Sequence, residues 1–399
     1  MLKRAAAIVT TFLLASGCLG STHAPQDPSL EAKQVAPLVQ MSSSPTQSYH
    51  STSKKQAESE TKVSKVTLAA IGDILIHDKV YIDAKQKDGT YNFNRIFDGV
   101  RSLLQAPDIL VANQETMIGG KELRLSTYPA FNSPHEIGDA LKVAGVDVVT
   151  IANNHALDRG EKVIQSALTY WDTLGIPYTG AFKSQNDRDT IRTVTRNEIS
   201  FSFLSYTYGT NGISTPKGKP FLVNRIDDSQ IRTDVEQAKQ MSDVIVVALH
   251  WGNEYERIPD VNQTTLAQKL ANMGVHIIIG NHPHVLQPPA WVEGKQGHRA
   301  FVVYSLGNFL SAQINLYKQI GGMATIDVLK TTNRNAKKIE LMNPSFLPTY
   351  TYSQQGRHFQ IISMDRLTND QLIHAKSHYE MIKKHMQTNI PELNILSSS

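Results

Sequence analysis

The chain has 399 residues, 40% hydrophobic and 19% charged, an ordinary globular composition that excludes a disordered or fibrous protein. Forty basic against 36 acidic residues give a formal charge of +4, and no Lys/Arg run in the body exceeds a pair, so nucleic-acid binding has no electrostatic footprint. The single cysteine, Cys18, excludes an intrachain disulfide and any zinc site built from thiolates, so a metal would need nitrogen and oxygen ligands.

Lys3 and Arg4 precede an apolar stretch, 5–15, that is too short to cross ~30 Å of hydrocarbon but suits a signal-peptide core. Ala15-Ser16-Gly17-Cys18 resembles the lipobox of bacterial lipoproteins, with Leu14 one position earlier than the usual leucine. The resemblance implies a signal peptide over 1–17, lipidation of Cys18, and export to the extracytoplasmic face of a bacterial membrane. Residues 18–62 are rich in Ser, Thr, Gln, Pro, Lys and Glu and cannot bury enough surface to offset ordering, so a solvated tether is expected. The expected folded domain is 63–365, with a C-terminal helix and tail over 366–399.

From Val66 the pattern changes. Residues 66–71, 109–112, 146–151, 244–249, 275–279 and 301–304 are apolar runs that read as buried strands. Between them, Ile96, Val100, Leu103 and Leu104 share one helical face. So do Val163, Ala167, Trp171 and Leu174, with Gly175 as the stop signal, and likewise Ile231, Val235 and Ala238. This βαβα order predicts an α/β fold with helices on the faces of a sheet, while 199–204 and the stretch after Phe301 suggest adjacent antiparallel strands. Residues 292–301 read as a hairpin through Gly294 and Gly297, and 368–386 as a helix.

Chemistry gathers where the apolar runs stop. Asp73 follows the first; Asn113-Gln114-Glu115 the second; Asn153-Asn154-His155 the third; His250 the fourth; and Asn281-His282-Pro283-His284 the fifth. Each alone has an ordinary reading: Asp73 as a turn or cap, Glu115 as a loop charge, the asparagines as turn residues, His250 as a core histidine. Pro283 predicts an extended His282, which would turn the His282 and His284 imidazoles to one side. Ligands in α/β sheets collect outside the carboxyl ends of strands, so five such tips predict one pocket. Three histidines, two carboxylates and an amide oxygen suit Mn, Fe or Zn rather than Ca, and exceed what one tetrahedral ion needs, so two divalent ions are expected.

Gly72-Asp73, Asn113-Gln114-Glu115, Asn153-Asn154-His155-Ala156-Leu157-Asp158-Arg159-Gly160, His250-Trp251-Gly252-Asn253-Glu254-Tyr255, Gly280-Asn281-His282-Pro283-His284 and Tyr304-Ser305-Leu306-Gly307-Asn308-Phe309 resemble, in order, the signature blocks of the CapA-type poly-γ-glutamate capsule synthesis proteins. That family is similar to the calcineurin-like metallophosphatases. The resemblance implies a metallophosphatase-like two-sheet sandwich of mixed strands flanked by helices, with a dinuclear centre at the strand ends. By position it makes Asp73, Glu115, Asn154, His250, His282 and His284 metal ligands and His155 a general acid. Two departures stand out: the D-x-H motif is absent, His77 being the nearest histidine to Asp73, and Glu115 replaces the usual bridging Asp.

Asp158 either caps the helix starting near Gly160 or orients His155. Trp251, Glu254 and Tyr255 are expected to line a substrate pocket, with packing beside the strand end the alternative for Trp251 and Tyr255; Asn308 is expected to contact substrate from the pocket floor. The implied function is a metal-dependent hydrolase or transferase acting on a phosphoester or a γ-glutamyl amide in capsule polymer metabolism. The alternative is a non-catalytic subunit that binds the anionic polymer or the subunits of its membrane synthase.

Overall fold

The computed structural model describes residues 61–334 and 336–398. The expected signal peptide, Cys18 and nearly all of the expected tether fall outside the described residues, and Lys62 opens the first strand.

In chain order the strands are β1 (Lys62–Ile74), β2 (Ile109–Gln114), β3 (Val148–Thr150), β4 (Tyr178–Thr179), β5 (Arg192–Arg196), β6 (Ile199–Thr207), β7 (Val244–His250), β8 (Ile277–Asn281), β9 (Leu286–Gln287), β10 (Ala290–Glu293), β11 (Arg299–Val303), β12 (Ser305–Leu306), β13 (Asn308–Leu310), β14 (Ile320–Thr332), β15 (Lys337–Gln354), β16 (Arg357–Ser363) and β17 (Asn394–Ile395). One sheet has the order β16-β15-β14-β1-β2-β3-β4, with β13 beside β1 and β17 beside β15; a second has the order β10-β11-β8-β7-β6-β5, and β9 and β12 form a two-stranded pair. β1 to β4 are parallel, as are β6, β7, β8 and β11, while β14, β15 and β16 form an antiparallel flank.

The apolar runs are continuous because both faces of the parallel strands are covered. On β1, Val66, Leu68 and Ala70 point between the two sheets, whereas Ala69 and Ile71 point to the helices of the first sheet. On β7, Val244, Val246 and Ala248 meet the same inter-sheet layer, and Ile245, Val247 and Leu249 face the helices of the second sheet. Period-two alternation in two sheets thus builds one shared core and two helix-covered outer ones: the α/β two-sheet sandwich expected from the sequence.

The helix Gly160–Leu174 buries Val163, Ala167, Trp171 and Leu174 and ends at Gly175 in the left-handed conformation, φ +67°. The helix Asp228–Met241 starts at an Asp227 cap, which accepts from the N–H groups of Ser229 and Gln230.

Four expectations are corrected. Residues 94–104 form two short pieces, a 3-10 turn Asn94–Phe97 and a helical turn Arg101–Leu104, because the chain bends at 98–100 between them. The C-terminal helix begins at Ala375 rather than 368, and its Ile382 and Met386 pack into the inter-sheet core. β6 lies inside the second sheet, antiparallel to β5 and parallel to β7, with β7 and β8 separating it from β11. His282 is not extended: φ is +98° there and +60° at His284. No helix of the described residues is long and apolar enough to cross a membrane.

Candidate metal centre

The carboxyl ends of β1, β2, β3, β7 and β8 meet at one end of the sandwich, and close backbone approach sets their spacing. A Cβ on Gly72 would lie 2.1 Å from the Gly307 carbonyl oxygen, and one on Gly280 would lie 1.9 Å from that of Tyr304. Only glycine fits at either place, so the Tyr304–Phe309 segment presses directly against the strand ends that carry Asp73 and Asn281. Gly307 O accepts from Asp73 N at 2.9 Å, and Tyr304 O accepts from Trp251 Nε1 at 2.9 Å.

All six expected ligands come together, and all are buried. Asp73 accepts from Asn113 Nδ2 at 2.7 Å through Oδ1 and from the His282 N–H at 3.3 Å through Oδ2, which lies 3.4 Å from His284 Nδ1. Glu115 Oε1 lies 3.6 Å from His250 Nε2 and 3.7 Å from His284 Nε2. Asn154 Oδ1 is 2.7 Å from His250 Nε2. One ligand atom each from Glu115, His282 and His284 fall within 4.8 Å of one another. The left-handed backbone at 282 and 284, sparsely populated for non-glycine residues, is what brings both rings to this point.

The donor set fits a divalent cation. Both oxygens of Glu115, Nδ1 of His250 and Nδ1 of His282 are buried with no hydrogen-bond partner among the described residues, an arrangement that costs stability unless something else binds there. Burial raises the Glu115 pKa well above the usual carboxylate range, with Asp73 adding to the shift and His284 opposing it. Burial also pushes His282 down to about 3 and His250 well below its ordinary value, with neighbouring imidazoles contributing to both. His284 differs: burial opposes its charge, but Glu115 and Asp73 beside it raise its pKa to about 9. The carboxylates thus draw positive charge to the centre of the group, where a cation would sit.

Other predicted residues take more specific places. Asp158 caps nothing; its Oδ2 accepts from His155 Nδ1 at 2.7 Å and from the Phe131 N–H at 2.9 Å, so of the two readings orientation is the one the geometry fits. Trp251 is 3% exposed, stacks on Tyr304 at 5.9 Å and belongs to the helix-side core, and it also lines a cavity of about 530 Å³ together with Tyr208, Gly252 and Asn253. Asn308 is fully buried; its Oδ1 lies 3.0 Å from His284 Nδ1, and its Nδ2 donates to Gln313 Oε1 and the Lys318 carbonyl. Glu254 and Tyr255 are at the exposed rim, where the Tyr255 N–H donates to Pro283 O at 2.8 Å and its ring lies 6.2 Å from His284. His77 stays outside the ligand group, with Nδ1 3.1 Å from Leu75 O and 3.3 Å from Ala312 N.

Three contributors stood outside the quoted blocks, and a fourth stood inside one with no role assigned. Asn113, the first of three residues in its block, holds Asp73. Asn211 Oδ1 accepts from Asn154 Nδ2 at 3.3 Å, and its amide lies 3.3 Å from the His155 ring. Phe131 sets its ring edge against His155 at 4.7 Å, and Tyr208 lies 4.7 Å from His282. Only Asn211-Gly212, a turn dipeptide, offered a hint.

Residues 67–313 match the family described as bacterial capsule synthesis protein PGA_cap. The chain is 29% identical over 290 residues to the capsule biosynthesis protein CapA of Bacillus anthracis, covering 66% of this chain and 67% of that one. It is 29% identical over 259 residues to the PGA biosynthesis protein CapA of Bacillus subtilis strain 168, covering 61% and 62%. The matched region therefore spans about two thirds of each relative. Among solved structures it is similar to the NAD nucleotidase NadN of Haemophilus influenzae, at 12% identity and a TM-score of 0.45 over 84% of this chain and 64% of that one, a likeness that says nothing about activity. The match over most of the folded chain, with the quoted blocks inside it, shows that this protein belongs to the bacterial capsule synthesis protein PGA_cap family.

Proposed function

We propose that this chain acts in the biosynthesis of a capsule polymer of the poly-γ-glutamate type, as an exported protein anchored through a lipid on Cys18, with a metal-dependent hydrolase or transferase centre. The observation that supports a catalytic centre above all is the grouping of Glu115, His282 and His284, with Asp73, Asn154 and His250 in contact with them or with one another and both Glu115 oxygens left without a hydrogen-bond partner among the described residues. These residues would hold one or two divalent ions of the Mn, Fe or Zn kind, which would supply Lewis-acid polarisation and activate water.

The chain's own groups supply the rest. A 2.7 Å contact to a carboxylate fixes the Nδ1 proton of His155 toward Asp158, leaving Nε2 to carry a proton to a leaving group. Phe131 against the ring restricts its rotation and keeps water from that face. Asn308 and Asn113 fix His284 and Asp73, so neither ligand needs to reorganise during a turnover. This suits transfer at a phosphoester or at a γ-glutamyl amide.

The test is to measure bound metal and turnover of phosphomonoester, phosphodiester and γ-glutamyl substrates by wild type, His282→Ala and Asp73→Asn. Metal in the wild type, lost with activity in both variants, is expected; a wild type that binds none ends the enzymatic reading. A second reading, a non-catalytic assembly subunit of a membrane synthase, draws on the relatives' names, which specify biosynthesis and no reaction. It gains if His155→Ala still supports capsule formation while loss of the whole chain does not.

A further inference from the structure

Beside the metal centre, on the β13–β14 side, lies a cavity of about 420 Å³ whose lining includes Lys79, Ser311, Gln313, Gln319, Thr351 and Ser353 and no acidic side chain. A chain of hydrogen bonds through Gln313 and Asn308 links it to His284. Gln313 accepts from Asn308, which holds His284, and its side chain also hydrogen-bonds Tyr255 at the rim. Lys318 places its ammonium 3.4 Å from the centre of the Tyr255 ring. The stem of Lys79 lies across Gly356, where a Cβ would come within 2.9 Å of Lys79 Cδ, so the apolar stem is packed while the charged end stays free. Neither Lys79 nor Lys318 has a carboxylate within salt-bridge distance among the described residues.

The cavity beside the second sheet, about 530 Å³ near Tyr208, is of opposite character: Asp228 and Asp260 line it, and its Lys269 is paired with Asp228 at 2.5 Å. Charge therefore distinguishes the two flanks. One offers unpaired cations with neutral hydrogen-bonding groups, and the other a net negative lining.

We propose that the cavity bounded by Lys79 and Gln313, with Lys318 joined to it through Tyr255 and Gln313, is a subsite for the carboxylate-bearing part of a chain substrate whose reacting bond lies at the metal centre. Lys79 and Lys318 receive carboxylates; Gln313, Gln319 and the Ser and Thr hydroxyls hydrogen-bond the amides between them. The assignment rests on the capsule-polymer reading above and adds to it where, and by which groups, the chain is held.

The test is calorimetric binding of a short γ-linked glutamate oligomer, and of its side-chain amidated analogue, to the intact mature protein. Wild type, the Lys79→Ala/Lys318→Ala double variant and His282→Ala are compared, with thermal melting to confirm folding. The double variant is expected to melt like the wild type and bind the acidic oligomer at least about tenfold more weakly. Wild-type binding should also weaken between about 0.05 M and 0.5 M salt, and the amidated oligomer should bind poorly. His282→Ala should retain binding, because the subsite does not use the metal. Equal affinity in wild type and double variant, or loss of binding only in His282→Ala, overturns the subsite and leaves the metal centre standing. A wild type that takes up metal yet binds neither oligomer overturns the polymer reading and the subsite with it.

Discussion

Nδ1 of His155 lies 2.7 Å from Oδ2 of Asp158, three residues along the same turn, and that carboxylate oxygen also accepts the Phe131 N–H. One oxygen thus ties the histidine's tautomer to the loop that packs against its ring. Asp158→Asn keeps the shape but removes the acceptor charge. It is expected to lower kcat by about 10²-fold or more with little change in KM, read on whichever substrate class the wild type turns over. An unchanged kcat would assign Asp158 to loop structure alone.

Asn308 tests how far the metal centre depends on its support. Its Oδ1 fixes His284 from a position with no solvent exposure. Asn308→Ala should weaken metal affinity by about 10–100-fold, measured by competition with a chelator, while the protein stays folded. The same variant should lose part of the rise in melting temperature that metal gives the wild type.

Gly280 shows where sterics fix the site. A methyl group there would overlap the Tyr304 carbonyl, so Gly280→Ala should destabilise by about 3 kcal/mol or more in urea unfolding. Gly209, whose added Cβ would meet nothing within 4 Å, is the control, and Gly209→Ala should stay within about 0.5 kcal/mol. Equal effects would contradict the close approach of the Tyr304 segment.

His276 gives a pH dependence away from the metal centre. Its Nδ1 accepts from the Ile245 N–H at 3.1 Å, and burial, followed by the charges of His298 and Lys337, lowers its pKa from 6.5 to about 3. Between those values the unfolded chain binds a proton that the native state refuses. The His276 contribution to stability is therefore intact above pH 6.5 and is lost as pH falls toward 3, at up to about 1.4 kcal/mol per pH unit. Urea midpoints from pH 7 to 4 should show this slope, and His276→Gln, which keeps an acceptor for Ile245, should reduce it by about one proton.

Much of this protein is local and therefore legible in sequence. Alternation along residues 66–71 and 244–249 places strands with two buried faces, and Gly175 ends its helix because only a residue tolerant of positive φ closes that turn. Metal-type side chains at successive strand ends are likewise a matter of order along the chain. The same local reasoning failed where contact prevails over propensity. Residues 96–104 have a helical period but bend into two short turns, and Pro283 did not keep His282 extended.

Which side chain serves which neighbour was decided in three dimensions. Asp158 could cap a helix or face His155, and the Phe131 N–H, 27 residues away, helps hold it to the histidine. Trp251 and Asn308 stood in blocks that suggested substrate contact; the fold packs Trp251 against Tyr304 beside a cavity and hydrogen-bonds Asn308 to His284. Residue type and order are written in the chain, but a hydrogen bond between distant segments depends on how two sheets stack. That stacking is set by the whole core together, so no single stretch of sequence contains it.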